Sequence, residues 1–524
     1  MMVALVASAW QGWIVLVGFG VILITISLLV ARRFGTADVD GLVVAGRSLP
    51  FGLVAAAVFV AWVWTTTLLG AAEAGFWFGI SGGLNYAWGA AFPFFIFIPL
   101  AMRMRRIMPR TTTFVEYMRE RFSDNFAKVY ILFGVALVFY VCVEQSVGLG
   151  YTMQYSFGMN YKLMAVLMSL LFASFIAIAG LRGSVYNSVF QFFVIAIVVF
   201  VAMPIILGKV GLTNAYEGMK DVAMNTANPN HNNEALNLFS FAGFRYGLVA
   251  FAVAIGQIIL SQGYYSAALA AVNSRTLLKA YLVGTIFAWI PIPIIFGNVI
   301  GSGALSIKLD TEAAEVVRTG ITPYIFSQYL GFGGVIMLAI LVLMAGLTTG
   351  GNGLAGLQAI FSVDLFKKYI KRDATEKQQT SFGKWMTLAG GILIGVLALV
   401  LEGKSLLNID IFSGILFAAP CAPLVVGMYS KRLNVGLSAV AVLIGLVGGL
   451  IAYFTIENPD WNFFIGNVIS LVAPFLIILV GLPFTKHEFD FDRLLNYVSE
   501  HRVVLHDPDE AAAIAGTTTD GGES

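Results

Sequence analysis

Charge is scarce in this sequence. Asp, Glu, Lys and Arg make up 11% of its 524 residues, against roughly 25% in soluble domains, while 59% of the residues are hydrophobic. That balance excludes a water-soluble globular chain and makes lipid the main solvent. A net charge of +2, with no clustered basic face outside short loops, gives no reason to expect a nucleic-acid partner. Histidine is rarer still: His231, His487, His501 and His506 all sit in polar stretches, so no His–Glu metal motif forms. No glycine loop ends in the Lys that cradles phosphate, and no enzyme signature remains. The two cysteines, Cys142 and Cys421, lie inside apolar runs. They offer neither a disulfide framework nor zinc or haem spacing, and they read as small apolar packing residues. The N-terminal apolar stretch is not expected to be a cleavable signal either. The first apolar stretch has no basic segment before it and runs into Arg32 and Arg33, as a first spanning helix with its N-terminus outside would.

Long apolar runs are what the sequence has in abundance. A helix needs about 20 such residues to cross the hydrocarbon, and thirteen runs qualify, near 10–31, 50–78, 82–102, 127–153, 160–181, 185–208, 245–272, 277–300, 331–362, 384–402, 406–428, 433–455 and 463–483. They predict an all-α polytopic membrane protein of about 13 transmembrane helices. Residues 1–483 form one transmembrane transporter domain, and 484–524 form a cytoplasmic tail whose Thr/Gly-rich end, Gly516–Ser524, is expected to be disordered. With an outside N-terminus, 24 of the 31 Lys and Arg residues fall on the cytoplasmic side, as the positive-inside rule requires. The densest cluster is Arg103, Arg105, Arg106, Arg110, Arg119, Arg121 and Lys128. The longest outside loop, 209–244, holds Asn228, Asn230, Asn232 and Asn233. It and the loop 301–330 have room for short interfacial helices.

Two spans are interrupted at their middles by small or hydroxyl residues. The second carries Ala61-Trp62-Val63-Trp64-Thr65-Thr66-Thr67, and the ninth carries Ala345-Gly346-Leu347-Thr348-Thr349-Gly350-Gly351-Asn352-Gly353. Broken helices in two halves of a chain point to a transporter site at the bilayer midplane. Ala345, Thr348 and Thr349 share one helix face. Two hydroxyls and a freed carbonyl are hard oxygen ligands that suit a small hard cation. The competing reading is that membrane threonines bond their own i−4 carbonyls or a neighbouring helix. In the second span the tryptophans and hydroxyls can bind a planar polar solute, or simply pack. Glu73 and Glu144 are the acids noted at or near membrane depth. An ionisable group there is a functional candidate by default: Glu144 can hold a proton, pair with a partner or meet a cation, whereas Glu73 sits nearer the outer end, where solvation competes. The seventh span, with Gln257, Ser261, Gln262, Tyr264 and Tyr265, is too polar to face lipid, and Trp289, Pro291 and Pro293 predict a kink in the eighth.

These segments resemble the sodium:solute symporter family over nearly the whole chain. The resemblance rests on Gly46-Arg47-Ser48-Leu49-Pro50, Thr113-Phe114-Val115-Glu116-Tyr117 and Phe361-Ser362-Val363-Asp364-Leu365-Phe366. Within the family the urea symporter branch is most similar, through Trp62-Val63-Trp64-Thr65-Thr66-Thr67-Leu68-Leu69, Gly79-Ile80-Ser81-Gly82, Gln262-Gly263-Tyr264-Tyr265, Ala268-Leu269-Ala270-Ala271 and Trp289-Ile290-Pro291-Ile292-Pro293. The match thins at Gly75, where that branch tends to have a larger residue, and at Ser261, where it has an acid or Asn. Asn187-Ser188-Val189 lacks the Asp of the sugar and proline carriers.

The resemblance implies a five-plus-five inverted-repeat core of the LeuT type, about residues 50–428, with spans two to six paired with seven to eleven. It implies a co-transported sodium ion held by Val60, Val63, Ala345, Thr348 and Thr349, and an alternating-access symporter for a small polar solute. The expected solute site is Trp62, Trp64, Thr66, Gln145, Gln262 and Tyr265, with Glu144 as a possible proton or cation site. Urea leads. The alternatives are a proton-coupled carrier, a symporter of a small monocarboxylate, amino acid or polyamine, and a membrane sensor on a transporter scaffold. The expected surroundings are the plasma-membrane bilayer and the solute, with no obligate protein partner.

Overall fold

The computed structural model describes residues 7–36, 38–228, 231–302, 318–486, 488–499, 501, 503–508 and 510–512. Among the described residues the chain is helical throughout, and the only bridge outside helices joins Leu49 to Ala271. Ten helices are long and apolar enough to cross a membrane, and two further spans are bent pairs, Phe51–Trp62 with Thr65–Phe78 and Leu406–Phe417 with Cys421–Gly427. The helix Tyr161–Val210 has 50 residues. At 1.5 Å per residue it would be about 75 Å long, more than twice the hydrocarbon thickness. It turns at Gly180, whose φ of 58° and ψ of −148° are not helical. Divided there it supplies the fifth and sixth spans and raises the tally to thirteen.

The remaining spans, in chain order, are the first, Ala9–Phe34; the third, Ile80–Ile107; the fourth, Asp124–Phe157; the seventh, Phe241–Ile259 continued by Gln262–Ala270; the eighth, Ser274–Gly301; the ninth, within Ile321–Ile370; the tenth, Glu376–Val400; the twelfth, Val435–Thr455; and the thirteenth, Pro459–Gly481. The second and eleventh are the bent pairs. Exposed apolar residues mark the lipid face, among them Ile14, Val17 and Val21 on the first span and Val440, Leu443 and Ile451 on the twelfth. The ninth is buried from Leu341 to Ile360 and forms the bundle's axis.

The breaks fall only partly where the residues suggested. The second span is interrupted at Val63 and Trp64, with its halves bent by 70°. The ninth is a continuous α-helix through Ala345–Gly353, so its expected unwinding is overturned. Its glycines are used for close packing instead: a Cβ at Gly350 would meet the Phe172 ring at 2.7 Å, one at Gly351 the Phe175 ring at 2.8 Å, and one at Gly356 the Gly263 backbone. The partner break lies in the seventh span, at Leu260 and Ser261. The eighth span is irregular as expected, with π-helical turns at Leu282–Phe287 and Phe296–Gly301 on either side of Pro291 and Pro293. A proline has no N–H and its ring crowds the preceding turn, so nearby carbonyls must find wider pairings.

The loop 209–244 contains the helix Leu212–Met224, as expected. In the loop 301–330, residues 321–330 are helical, while 303–317 lie outside the described residues, as do Asn230, His487 and Gly516–Ser524. The tail before residue 513 is packed against the arginine-rich end of the bundle. Arg105, 2% exposed, bonds Glu510 at 2.6 Å and also donates to the Ala268 and Ala271 carbonyls at 3.1 and 2.7 Å. Phe489 and Phe491 lie under the Arg121 guanidinium, and Tyr497 donates to Glu116 at 2.7 Å. Truncating one member of a buried ion pair costs about 3–5 kcal/mol. Arg105→Ala should therefore raise protease cleavage of the tail at least tenfold. An unchanged rate would show that the aromatic–arginine contacts hold it alone.

Candidate functional site

The break in the second span frees backbone groups that lipid cannot satisfy, and side chains from three other spans take them up. Within the break, Thr67 accepts from the Trp64 N–H at 3.1 Å and donates to the Trp62 carbonyl at 3.3 Å. Gln145, from the fourth span, accepts from the Thr65 N–H at 2.9 Å and so caps the second half-helix. The Ala61 carbonyl accepts from Trp64 Nε1 at 2.8 Å and from the Tyr264 hydroxyl at 3.0 Å. From the ninth span the Thr349 hydroxyl reaches the same carbonyl at 3.3 Å and that of Val63 at 3.4 Å.

Thr349 is thus set against the carbonyls of the broken turn. Val60, Val63, Ala345, Thr348 and Thr349 are all buried. They are not equivalent. The Val60 carbonyl accepts from the Val63 N–H at 3.2 Å. Thr348 donates to its own i−4 carbonyl, Met344, at 2.8 Å, which is the ordinary habit of a membrane threonine. That bond uses its proton and leaves hydroxyl lone pairs for another partner. The residues present fit a small hard cation: every donor atom is a neutral oxygen, and the Val63 carbonyl has no donor other than Thr349 among those described.

A narrow cavity of about 20 Å³, space for a water molecule and little more, lies beside the break. Trp62, Trp64 and Thr66 line it with Tyr86, Gln257, Trp289 and Asp410. Trp62 sits edge-on to Trp64 with ring centroids 5.2 Å apart, and 6.0 Å from Trp289. Trp62 Nε1 and Trp289 Nε1 are buried without hydrogen-bond partners among the described residues, and the buried Thr66 hydroxyl is turned to Glu144 and Tyr86. Gln257 donates its amide to Asp410 at 2.8 Å and to Ser413 at 3.0 Å. The cavity therefore offers aromatic walls, two unmatched N–H donors, and carboxylate and hydroxyl acceptors. A second small cavity, lined by Ala61, Ser261, Tyr264, Thr349 and Asn352, shares Trp64 and Gln257 with the first.

Three expected solute residues do not line either cavity. Gln145 is the cap just described. Gln262 accepts from the Phe114 N–H at 3.0 Å and donates to the Thr112 carbonyl at 2.9 Å and to Ser266 at 3.0 Å, so it ties the seventh-span break to a loop. Tyr265 packs between Phe97 and Phe114, at 5.0 and 5.4 Å. In a broken helix the neighbouring residues point in divergent directions, and the cavity is reached from Gln257 and Tyr264 instead. Asp410 and Tyr86 were missed altogether. Asp410 had a signal, an acid inside the apolar run Leu406–Phe417. Glu73 is 1% exposed and accepts from Ser405 at 2.6 Å, which removes the solvated reading.

Among curated proteins the chain is 25% identical over 491 residues to a probable urea active transporter 1 of Schizosaccharomyces pombe, covering 87% of this chain and 73% of the relative. It is 25% identical over 441 residues to the urea-proton symporter DUR3 of Oryza sativa, covering 80% of this chain and 61% of the relative. Among solved structures, a Na+-coupled sialic acid symporter in a substrate-bound outward-open state matches with a TM-score of 0.69 at 16% identity, over 91% of this chain and 98% of that one. The nucleobase-cation-symport transporter Mhp1 matches with a TM-score of 0.52 at 15% identity, over 86% of this chain and 97% of that one. The helical arrangement is that of these carriers. With the broken second span, the hydroxyl facing it and a family match over residues 42–448, the chain belongs to the sodium:solute symporter family.

Proposed function

We propose that this protein is a sodium-coupled symporter of urea that works by alternating access in the plasma membrane, its N-terminus outside and its C-terminus in the cytoplasm. The contact of Thr349 with the Val63 and Ala61 carbonyls carries the sodium assignment. A cation between these groups would bind the ninth span to the broken turn. That favours the conformation in which Trp62, Trp64 and Thr66 are arranged to receive solute, in the population-shift sense. Urea is planar and neutral, with one carbonyl and four N–H bonds. Its groups complement the unpartnered indole N–H donors and the Thr66 and Asp410 acceptors of a cavity that must widen to admit it, and relatives are urea transporters. A neutral solute moved with one sodium gains about 2.3 kcal/mol per 100 mV, roughly a fifty-fold accumulation.

Purified protein in liposomes, loaded with a sodium gradient, should accumulate labelled urea. Uptake should collapse when choline replaces sodium at the same membrane potential. A competition panel of urea, acetate, pyruvate, proline and putrescine tests the solute, and urea should compete best. Uptake indifferent to choline would overturn the sodium assignment in favour of proton coupling, the reading that the proton-coupled relative supports. Competition by another member of the panel alone would overturn urea.

A further inference from the structure

Glu144 lies in the middle of the fourth span with no exposed surface, and the one polar side chain turned to its carboxylate among the described residues, apart from another acid, is the neutral Thr66 hydroxyl. A charged carboxylate held alone at that depth costs several kcal/mol. Among the described residues no basic side chain acts on it to offset that cost. The one basic residue of its own span is Lys128, four turns away, and the second span and the helix Leu406–Phe417 contain none.

What does face Glu144 is another acid. Tyr140, one turn earlier on the same helix face, donates its hydroxyl to the Ile409 carbonyl. That bond ties the fourth span to the eleventh one residue before Asp410, and the field of the Asp410 carboxylate reaches Glu144. From the second span the buried Thr66 hydroxyl, which lines the solute cavity with Asp410, is turned to Glu144 and Tyr86. Tyr86 of the third span faces both acids, and Tyr246 of the seventh faces Asp410. Thr66 joins them at the cavity wall, turned to Glu144 and lining the cavity with Asp410, and two buried carboxylates that repel one another across a dry interior favour sharing one proton over both being charged.

We propose that Glu144 and Asp410 hold one proton between them and so form a proton-binding site at the solute cavity, separate from the oxygens of Val63 and Thr349. A metal ion fits less well. One Asp410 oxygen already accepts the Gln257 amide at 2.8 Å, which turns an N–H donor towards the site. No group of three metal-ligating side chains occurs among the described residues. The proton comes from water on whichever side the cavity opens and returns to water on the other. The pair thereby links the protonation of the cavity wall to the groups that would accept a solute N–H.

Infrared spectra of the full-length protein in lipid test this directly, through the carbonyl stretch of a protonated carboxylic acid, across about pH 5 to 9. Subtracting Glu144→Gln from wild type cancels other buried acids such as Asp364 and Glu73. At neutral pH the difference should contain one protonated carboxyl, and Asp410→Asn should shift or remove the same band. Both substitutions are isosteric, and melting curves will show that each variant is folded. A neutral-pH band unchanged in both folded variants would overturn the proposal. So would its loss on replacing choline with sodium, which would make the pair a metal site. The site deepens the carrier reading without depending on urea: an intact band with no urea uptake counts against the solute, not the pair.

Discussion

Thr349→Ala should raise the sodium concentration needed for half-maximal uptake at least tenfold. The hydroxyl reaches the broken turn from the ninth span, at 3.3 and 3.4 Å from two of its carbonyls. A hydrogen bond or ligand contact to a charged group contributes about 1.5–3 kcal/mol, which is ten-fold to more than a hundred-fold in affinity. Thr348→Ala should weaken sodium less, because its hydroxyl already donates to Met344. The sequence alone ranks the two equally, since both sit on the same face. Thr349→Ser restores the hydroxyl and should recover most of the affinity, which a loss caused by misfolding would not allow. Sodium activation in Thr349→Ala indistinguishable from wild type would remove this site from the mechanism. The readout is initial uptake rate against sodium concentration in liposomes of fixed potential.

Much of this arrangement was legible in the residues, and the failures share a cause. Apolar runs give the spans because lipid forces the backbone to satisfy itself, and the run across residues 160–208 was divided correctly near Gly180. The break at Val63 and Trp64 was legible from the hydroxyls around it. The expected break at Ala345–Gly353 is not one. A glycine run inside an apolar helix has two physical uses, freeing the backbone and letting another element come close. Only the neighbours decide between them, here Phe172, Phe175 and Cys142. The true second break, at Leu260 and Ser261, precedes Gln262, and that glutamine anchors the severed helix to the Thr112 carbonyl. Its polarity was visible, but polarity does not tell an anchor from a solute ligand. Asp410 shows the converse. An acid among apolar residues was sufficient signal, and its importance lies in facing Glu144 and Thr66 from a distant part of the chain.

Gly75→Leu should yield almost no folded protein, and Gly75→Ala should be markedly destabilised, while Gly18→Ala should behave as wild type. At Gly75 the second span's later half meets the eighth span backbone to backbone. A Cβ there would overlap the Gly297 carbonyl and lie 2.9 Å from its Cα. Gly297 has no more room, since its own Cβ would meet the Gly83 backbone and lie 3.1 Å from the Ala71 carbonyl. Gly301 would place one 2.9 Å from the Gly75 Cα. Three spans thus close on a seam of glycines, the packing that lets membrane helices associate without a hydrophobic drive between them. Adding a methylene to a tight core costs about 1–3 kcal/mol when side chains can adjust. Here the obstacle is main chain on both sides, so the cost falls at the upper end or beyond. Gly18 has no atom within 4 Å of its hypothetical Cβ, and its substitution controls for altered insertion. Detergent-extracted yield and thermal melting of the monodisperse fraction decide the matter. A Gly75→Ala variant melting within a degree or two of wild type would show that the eighth span can shift, through its π-helical turns, to make room.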